Sequence, residues 1–304
     1  MFQFQAAECA VYNRYITTLG RTPASVRSIQ DIPFLPISFF KYHPVRSGFW
    51  EEQEVFRSSG TTGSNTSRHA LPDKVFYLTH ALRLFEWAYG PISDYHVLAL
   101  LPSYQERTGS SLIAMADYFI ARSASPHSGF FLHNPDELIH RIRKLGEGEK
   151  KILLLGVTFA LLDLAELVDQ PFKAPLIVME TGGMKGRRPE ITRTELHVFL
   201  TRKLGVSAIH SEYGMTELVS QAYSQGGGVF HANPSLRVMI RDITSPPELL
   251  DLGETGGVNI IDLANVHGCC FIETEDLGKV NKNGTFEILG RLDSGDVRGC
   301  NLLI

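Results

Sequence analysis

The sequence is poor in cysteine: Cys9, Cys269, Cys270 and Cys300 are the four in 304 residues, and none forms a C-x-x-C pair. A zinc site built on paired cysteines is therefore not expected. No apolar run approaches the roughly 18 residues of a membrane span, so no such span is expected. The first residues, MFQFQAAECAVYNRY, lack a basic flank and a clean apolar centre, and so do not read as a signal peptide. The expectation is a cytoplasmic chain with reduced thiols. An excess of one charge is missing too. Lys and Arg number 29 against 33 Asp and Glu, a net charge of −4, which excludes a strong field toward nucleic acid or an anionic membrane. Repeats and low-complexity tracts are absent.

What is there is ordinary globular composition, 43% hydrophobic and 20% charged. Residues 1–30 read as amphipathic helical material, followed by a Pro-punctuated extended stretch over 32–36. From about Val55 apolar strand runs alternate with helical patterns. Helices are expected over 71–89, with Asp73 near the start and Gly90 after the end, over 110–121, from Asn134-Pro135 to Leu145, and over 189–204 before Gly205. Continuous apolar runs at 97–101, 152–155 and 176–179 suit buried parallel strands, and 206–209 reads as another. After about Ser235 helices thin out, and 236–240, 258–261 and 286–289 read as strands joined by Gly- and Asn-rich turns. The expectation is a single domain over 1–304: a helical lead-in (1–54), an α/β core (55–235) and a β-rich part with a terminal Cys tail (236–304).

Residues 57–68 read R-S-S-G-T-T-G-S-N-T-S-R. Two glycines let the backbone approach a ligand, and hydroxyls at Ser58, Ser59, Thr61, Thr62, Ser64 and Thr66 surround it with donors. This loop suits a polyphosphate, although the Walker pattern G-x-x-x-x-G-K-[ST] is absent. The sequence E-Y-G-M-T-E, Glu212 to Glu217, follows the 206–209 strand, at the end where α/β proteins place ligands. Thr181, Gly182 and Gly183 follow the 176–179 run in the same way. Asp276 in E-D-L-G and Arg291 in G-R-L-D complete the set.

These motifs resemble those of the adenylate-forming superfamily, which holds acyl-CoA synthetases, adenylation domains and luciferases. The resemblance implies an α/β fold, that of the superfamily's large N-terminal domain, with stacked α/β subdomains and a small β-rich region. It implies ATP and Mg²⁺ as cofactors. Ser58, Ser59, Gly60, Thr61, Thr62, Gly63 and Arg68 would meet phosphate, and Gly182 and Gly183 would lie near the nucleotide. Tyr213 would border the adenine, with Gly214 and Met215 in the same turn. Thr216 would contact phosphate, Glu217 would hold the metal, and Asp276 and Arg291 would meet the ribose. Glu275 stands where the superfamily pattern has Gly.

I-P-F-L-P-I-S-F-F-K (32–41), L-P-S-Y (101–104), M-K-G (184–186), I-H-S-E-Y-G-M-T-E (209–217) and R-G-C (298–300) are similar to one branch, the LuxE-like acyl-protein synthetases. That branch activates fatty acids, transfers the acyl group to a cysteine near the C-terminus and serves a reductase subunit. Cys300, four residues from the end (304 − 300 = 4), matches that cysteine. Lys185 is a candidate for cationic help, and His210 for the active site. His69 is a further candidate for phosphate contact.

Two departures bear on mechanism. The phosphate loop continues N-T-S-R where acyl-CoA synthetases usually have P-K, so Arg68 stands in for a lysine with a different donor geometry. Thirteen residues follow Arg291 (304 − 291 = 13), so the superfamily's mobile C-terminal domain is expected to be absent. The expected function is ATP-dependent activation of a carboxylic acid, a fatty acid among the options, with transfer to a protein thiol. The alternatives are an acyltransferase using a preformed donor, and a non-catalytic subunit of a reductase complex.

Overall fold

The computed structural model describes residues 1–58, 66–102, 108–182 and 191–292. The chain divides into two compact units, Glu51–Phe230, and Met1–Trp50 together with the chain from His231.

In Glu51–Phe230 five parallel strands lie side by side in the order Gly129–Phe130, Tyr95–Leu100, Lys151–Gly156, Leu176–Glu180 and Ile209–Tyr213. Ala222–Ser224 pairs antiparallel beyond the last. The chain steps outward from Tyr95–Leu100 to Gly129–Phe130, then crosses back to Lys151–Gly156. That reversal is a switch point of the kind where open α/β sheets bind ligands, outside the C-terminal ends of the strands. Burial explains the apolar runs. Ile152, Leu153, Leu154 and Leu155 are all buried, each gaining about 1.5–3 kcal/mol from transfer out of water.

Thr158–Leu167 is a helix not among those expected from the sequence, and the helix expected from 71 begins at Lys74 because Arg68–Leu71 is a strand; the other helices between these strands lie close to their expected bounds. Asp73 caps Lys74–Tyr89 by accepting the Phe76 N–H, and Gly90 ends the helix at φ 85°. Ser110 caps Ser111–Arg122. Asn134 precedes Pro135–Leu145 without a side-chain capping bond, so Pro135 alone marks that start. The last helix is Arg193–Leu204. Thr192 and Glu195 form a reciprocal capping box, which excludes Ile191 and Thr192 from the helix expected over 189–204.

One strand departs from expectation. Val206, Ser207 and Ala208 are not in a strand; the strand is Ile209–Tyr213. Its position is set by pairing, Val178 opposite Ile209 and Glu180 opposite Ser211, and so draws in polar residues that no apolar run announces.

The other unit contains the helices Phe2–Glu8 and Ala10–Thr18 and an antiparallel sheet. Leu236–Arg241, Thr255–Asp262, Phe271–Val280 and Thr285–Arg291 are neighbours in that order. Leu35–Pro36 adds a short parallel strand beside Phe271–Val280. The helical lead-in breaks at Cys9, whose backbone is extended. Gln5 ties the first helix to the rest of the unit. Its Nε2 donates to the carbonyls of Asn265 (3.0 Å) and Val266 (3.1 Å), and its Oε1 accepts the Cys270 N–H at 2.8 Å. Cys9, Cys269 and Cys270 are buried free thiols within the core of this unit. No helix among the described residues is long and apolar enough to cross a membrane.

Candidate active site

Ser59, Gly60, Thr61, Thr62, Gly63, Gly183, Lys185 and Cys300 lie outside the described residues. The rest can be placed within their own units.

The Ser/Thr/Gly loop springs from an antiparallel hairpin, Glu54–Arg57 against Arg68–Leu71. Its neck is closed by Ser58 and Ser67. The Ser58 N–H donates to the Ser67 carbonyl at 3.1 Å, and the Ser67 N–H donates to Ser58 Oγ at 2.9 Å. Arg57 is anchored in turn, its N–H donating to the Gly109 carbonyl at 2.7 Å. Gly109 sits at φ 76°, a backbone state that favours glycine.

Alternation along the returning strand separates Arg68 from His69. Arg68 is solvent-exposed, its side chain 54% accessible and 4.0 Å from Glu52. His69, one residue on, faces the opposite side and is fully buried. Its Nδ1–H donates to the Thr216 carbonyl at 2.8 Å, since a carbonyl can only accept. His69 therefore braces the turn that carries Thr216, in a position closed to solvent.

That turn leaves the C-terminal end of Ile209–Tyr213. The Leu218 N–H donates to the Met215 carbonyl at 3.2 Å, closing it. Tyr213 is half-buried, its ring 5.8 Å from that of Phe230. A side chain at Gly214 would require the Glu212 carboxyl to shift, because a Cβ there would stand 2.4 Å from Glu212 Oε1. Thr216 is half-buried, and Glu217 is only 6% exposed. Mg²⁺ usually takes one or two protein carboxylates and completes its shell with substrate phosphates and water. A single carboxylate at Glu217, the residue after Thr216 in the chain, fits that demand. Among the described residues no group of three His, Cys, Asp or Glu gathers round a metal position.

Two buried glutamates, unforeseen in the sequence, stand at the neighbouring strand ends. Glu180 closes Leu176–Glu180 and accepts the Gly182 N–H at 2.6 Å, holding Gly182 at φ 73°. Arg193 and His197 lie 3.6 and 3.8 Å from its carboxylate. Burial raises its pKa, but His197, Arg193, Ser211 and the Gly182 N–H outweigh burial and hold it below the ordinary carboxyl value. Glu212 has no such support. Burial, followed by the negative charge of Glu180, pushes its pKa up to about 8. The signal available in the sequence was a lone Glu ending the apolar run at 176–179. The Thr181 N–H donates to the Gly156 carbonyl at 3.1 Å, joining two of the strand ends.

His210, on the same strand as Glu212, lies with Nδ1 3.1 Å from the Tyr89 hydroxyl. Burial lowers its pKa, so it is neutral near pH 7.

In the other unit Asp276 and Arg291 are cross-strand partners, with Arg291 Nε 3.8 Å from the Asp276 carboxylate. Arg291 also reaches Glu275 at 3.1 Å. Asp276 is buried, and its N–H donates to Thr274 Oγ1 at 3.1 Å.

Solved structures of adenylate-forming enzymes share this fold. ATP-bound MatB from Rhodopseudomonas palustris aligns at a TM-score of 0.56 and 20% identity, over 78% of this chain and 47% of that one. 2-Hydroxyisobutyryl-CoA ligase, solved with 2-HIB-AMP and CoA, aligns at 0.72 and 16% identity, over 96% of this chain and 66% of that one. O-succinylbenzoate CoA synthetase (MenE) from Bacillus subtilis, solved with AMP, aligns at 0.53 and 16%, over 79% and 50%. The α/β architecture is therefore that of the adenylate-forming enzymes' N-terminal domain, and the chain spans from about half to two thirds of these structures' length. No family model and no curated protein matches.

Proposed function

We propose that this chain uses ATP to activate a carboxylic acid as an acyl-adenylate. The observation that carries the reading is the His69–Thr216 bond. It joins the hairpin bearing the Ser/Thr/Gly loop to the turn at a parallel-strand end, two elements whose sequences both suit phosphate.

In the reaction a carboxylate oxygen attacks the α-phosphorus of ATP, and the bond to the departing pyrophosphate breaks. The task of the protein is to align these groups and to stabilise charge developing on phosphorus. Backbone N–H groups and hydroxyls of the loop from Ser58, with the Thr216 hydroxyl, supply donors. Glu217 would hold Mg²⁺, which supplies charge neutralisation when bound. Lys185 would add a cation, and His210 is assigned to the same region as a neutral hydrogen-bonding group. Arg68, on the opposite face of its strand from His69, is assigned to phosphate by its motif. Asp276 and Arg291 are assigned to the ribose hydroxyls by their motifs.

The finer step is transfer to Cys300. Its thiolate attacks the acyl carbon, the thioester forms, AMP leaves, and the thiol proton passes to solvent. This reading resembles the acyl-protein synthetases and implies a reductase subunit as the partner that consumes the thioester.

ATP–pyrophosphate exchange with a panel of carboxylic acids tests the first step. Exchange dependent on one class of acid supports adenylation; no exchange with any acid sinks it, and leaves the acyltransferase or subunit alternatives. With an active acid, radiolabel should mark the chain in a hydroxylamine-labile form. A Cys300→Ala variant that still carries this label removes Cys300 from its role.

A further inference from the structure

The unit containing residues 1–50 and 231 onward holds a cleft of about 380 Å³, whose lining shares the strand Phe271–Val280 with Asp276 but includes neither Asp276 nor Arg291. Ile32, Phe34 and Leu249 give it apolar walls, and Tyr15, Asn259 and Glu273 its polar lining. Asn259 and Glu273 are directly opposite each other on adjacent antiparallel strands. Their side chains therefore leave the sheet on one face, with Cβ atoms about 4.5–5.5 Å apart.

Arg241 fixes what these two side chains offer. Its Nη1 donates to Asn259 Oδ1 at 3.0 Å and to the Val258 carbonyl at 2.9 Å, and its Nη2 donates to the Thr274 carbonyl at 2.8 Å. Gly257 makes room for this guanidinium, since a Cβ there would lie 2.5 Å from Arg241 Cζ. Arginine has no acceptor, so the amide oxygen of Asn259 must face it and the NH₂ is the end left over. Asn259 is 2% exposed, and its NH₂ makes no hydrogen bond among the described residues. Glu273 lies 3.7 Å from Arg241 Nη2, close for charge but too far for a hydrogen bond. Its carboxylate likewise has no hydrogen bond among the described residues. Burial raises its pKa against the opposing pull of Arg241.

An amide NH₂ and a carboxylate, neither hydrogen-bonded among the described residues, thus stand side by side at the cleft, the Glu273 side chain 24% exposed. The complement is a group that presents C=O to Asn259 and N–H to Glu273 along one edge. We propose that this cleft is a small-molecule site for a cis-amide edge, a lactam or ring imide, carried on an apolar ring that packs against Ile32, Phe34 and Leu249. The Tyr15 hydroxyl supplies a third polar contact. This inference does not depend on adenylation.

The test is saturation-transfer NMR and calorimetry on the full chain with ε-caprolactam. N-methyl-ε-caprolactam, which lacks the N–H, and ε-caprolactone serve as controls. Saturable lactam binding at a Kd on the order of 1 mM is expected, at least about tenfold tighter than either control. Ile32→Trp and Leu249→Trp, which place bulk at two lining positions of the cleft, should each abolish it with the fold intact by circular dichroism. Asn259→Asp, which replaces the donor by an acceptor, should weaken binding about tenfold. Absence of saturable binding, equal binding of the N-methyl lactam, or unchanged binding in a folded Trp variant overturns the proposal. So does displacement of the lactam by ATP.

Discussion

The imidazole of His69 and the carbonyl of Thr216 meet at 2.8 Å although 147 residues separate them in the chain. The bond requires a proton on His69 Nδ1 and gives one carbonyl of the Thr216 turn a buried donor. Replacing His69 with Phe keeps a ring and removes the donor. Thermal unfolding should show a loss of about 1–3 kcal/mol. If the turn handles phosphate, pyrophosphate exchange should also slow by more than tenfold, through KM for ATP or through the maximal rate. Unchanged exchange in a folded variant would separate this turn from the chemistry.

Glu212 makes stability depend on pH in an unusual direction. Its pKa is raised from 4.5 to about 8 on folding. Between those values the folded chain holds a proton that the unfolded chain has lost, so stability falls as pH rises. The contribution is fully present below about 4.5 and is lost as pH passes through about 8. Glu212→Gln should flatten this slope. Melting curves from pH 5 to pH 9 should show the wild type losing more stability than the variant; parallel curves would refute the assignment.

The charge on Glu180 is the second cause of that elevated pKa. Glu180→Gln should therefore lower the titration midpoint of Glu212. It should also weaken the hold on Gly182, whose N–H prefers a charged acceptor. Carboxyl-carbon NMR of Glu212 is the direct readout, and an unmoved midpoint would show that burial alone sets it.

Gly214 and Glu212 compete for one space. A Gly214→Ala side chain would displace a buried carboxyl, at about 1–3 kcal/mol. Pairing it with Glu212→Ala removes the obstacle, so the double variant should lose less than the sum of the singles. Additive losses in urea unfolding would place the strain elsewhere.

Legibility from sequence followed the range of the forces involved. Gly90, Gly205 and the cap at Asp73 act within one helix turn, and the sequence signals them directly. The turn from Tyr213 to Glu217 was legible as a string of residues for the same reason. Residues 209–213 were not legible as a strand, because their edge is defined by Leu176–Glu180 and their polar members contradict the apolar pattern. The brace between His69 and Thr216 was hidden as well. Period-two alternation places Arg68 and His69 on opposite faces, but only the folded hairpin says which face meets the turn. Glu180 gave a faint signal as a charge at the end of an apolar run, and its partners Arg193 and His197 come from the next helix.

The buried thiols of the unit that includes Met1–Trp50 have a practical consequence for chemistry at Cys300. Burial raises the pKa of Cys9, Cys269 and Cys270, so at neutral pH they carry almost no reactive thiolate. An alkylating reagent added to the native chain meets three silent cysteines out of four. Whatever label it incorporates reports on Cys300 alone, and a carboxylic acid with ATP that protects this position would register acylation without any radioactive substrate.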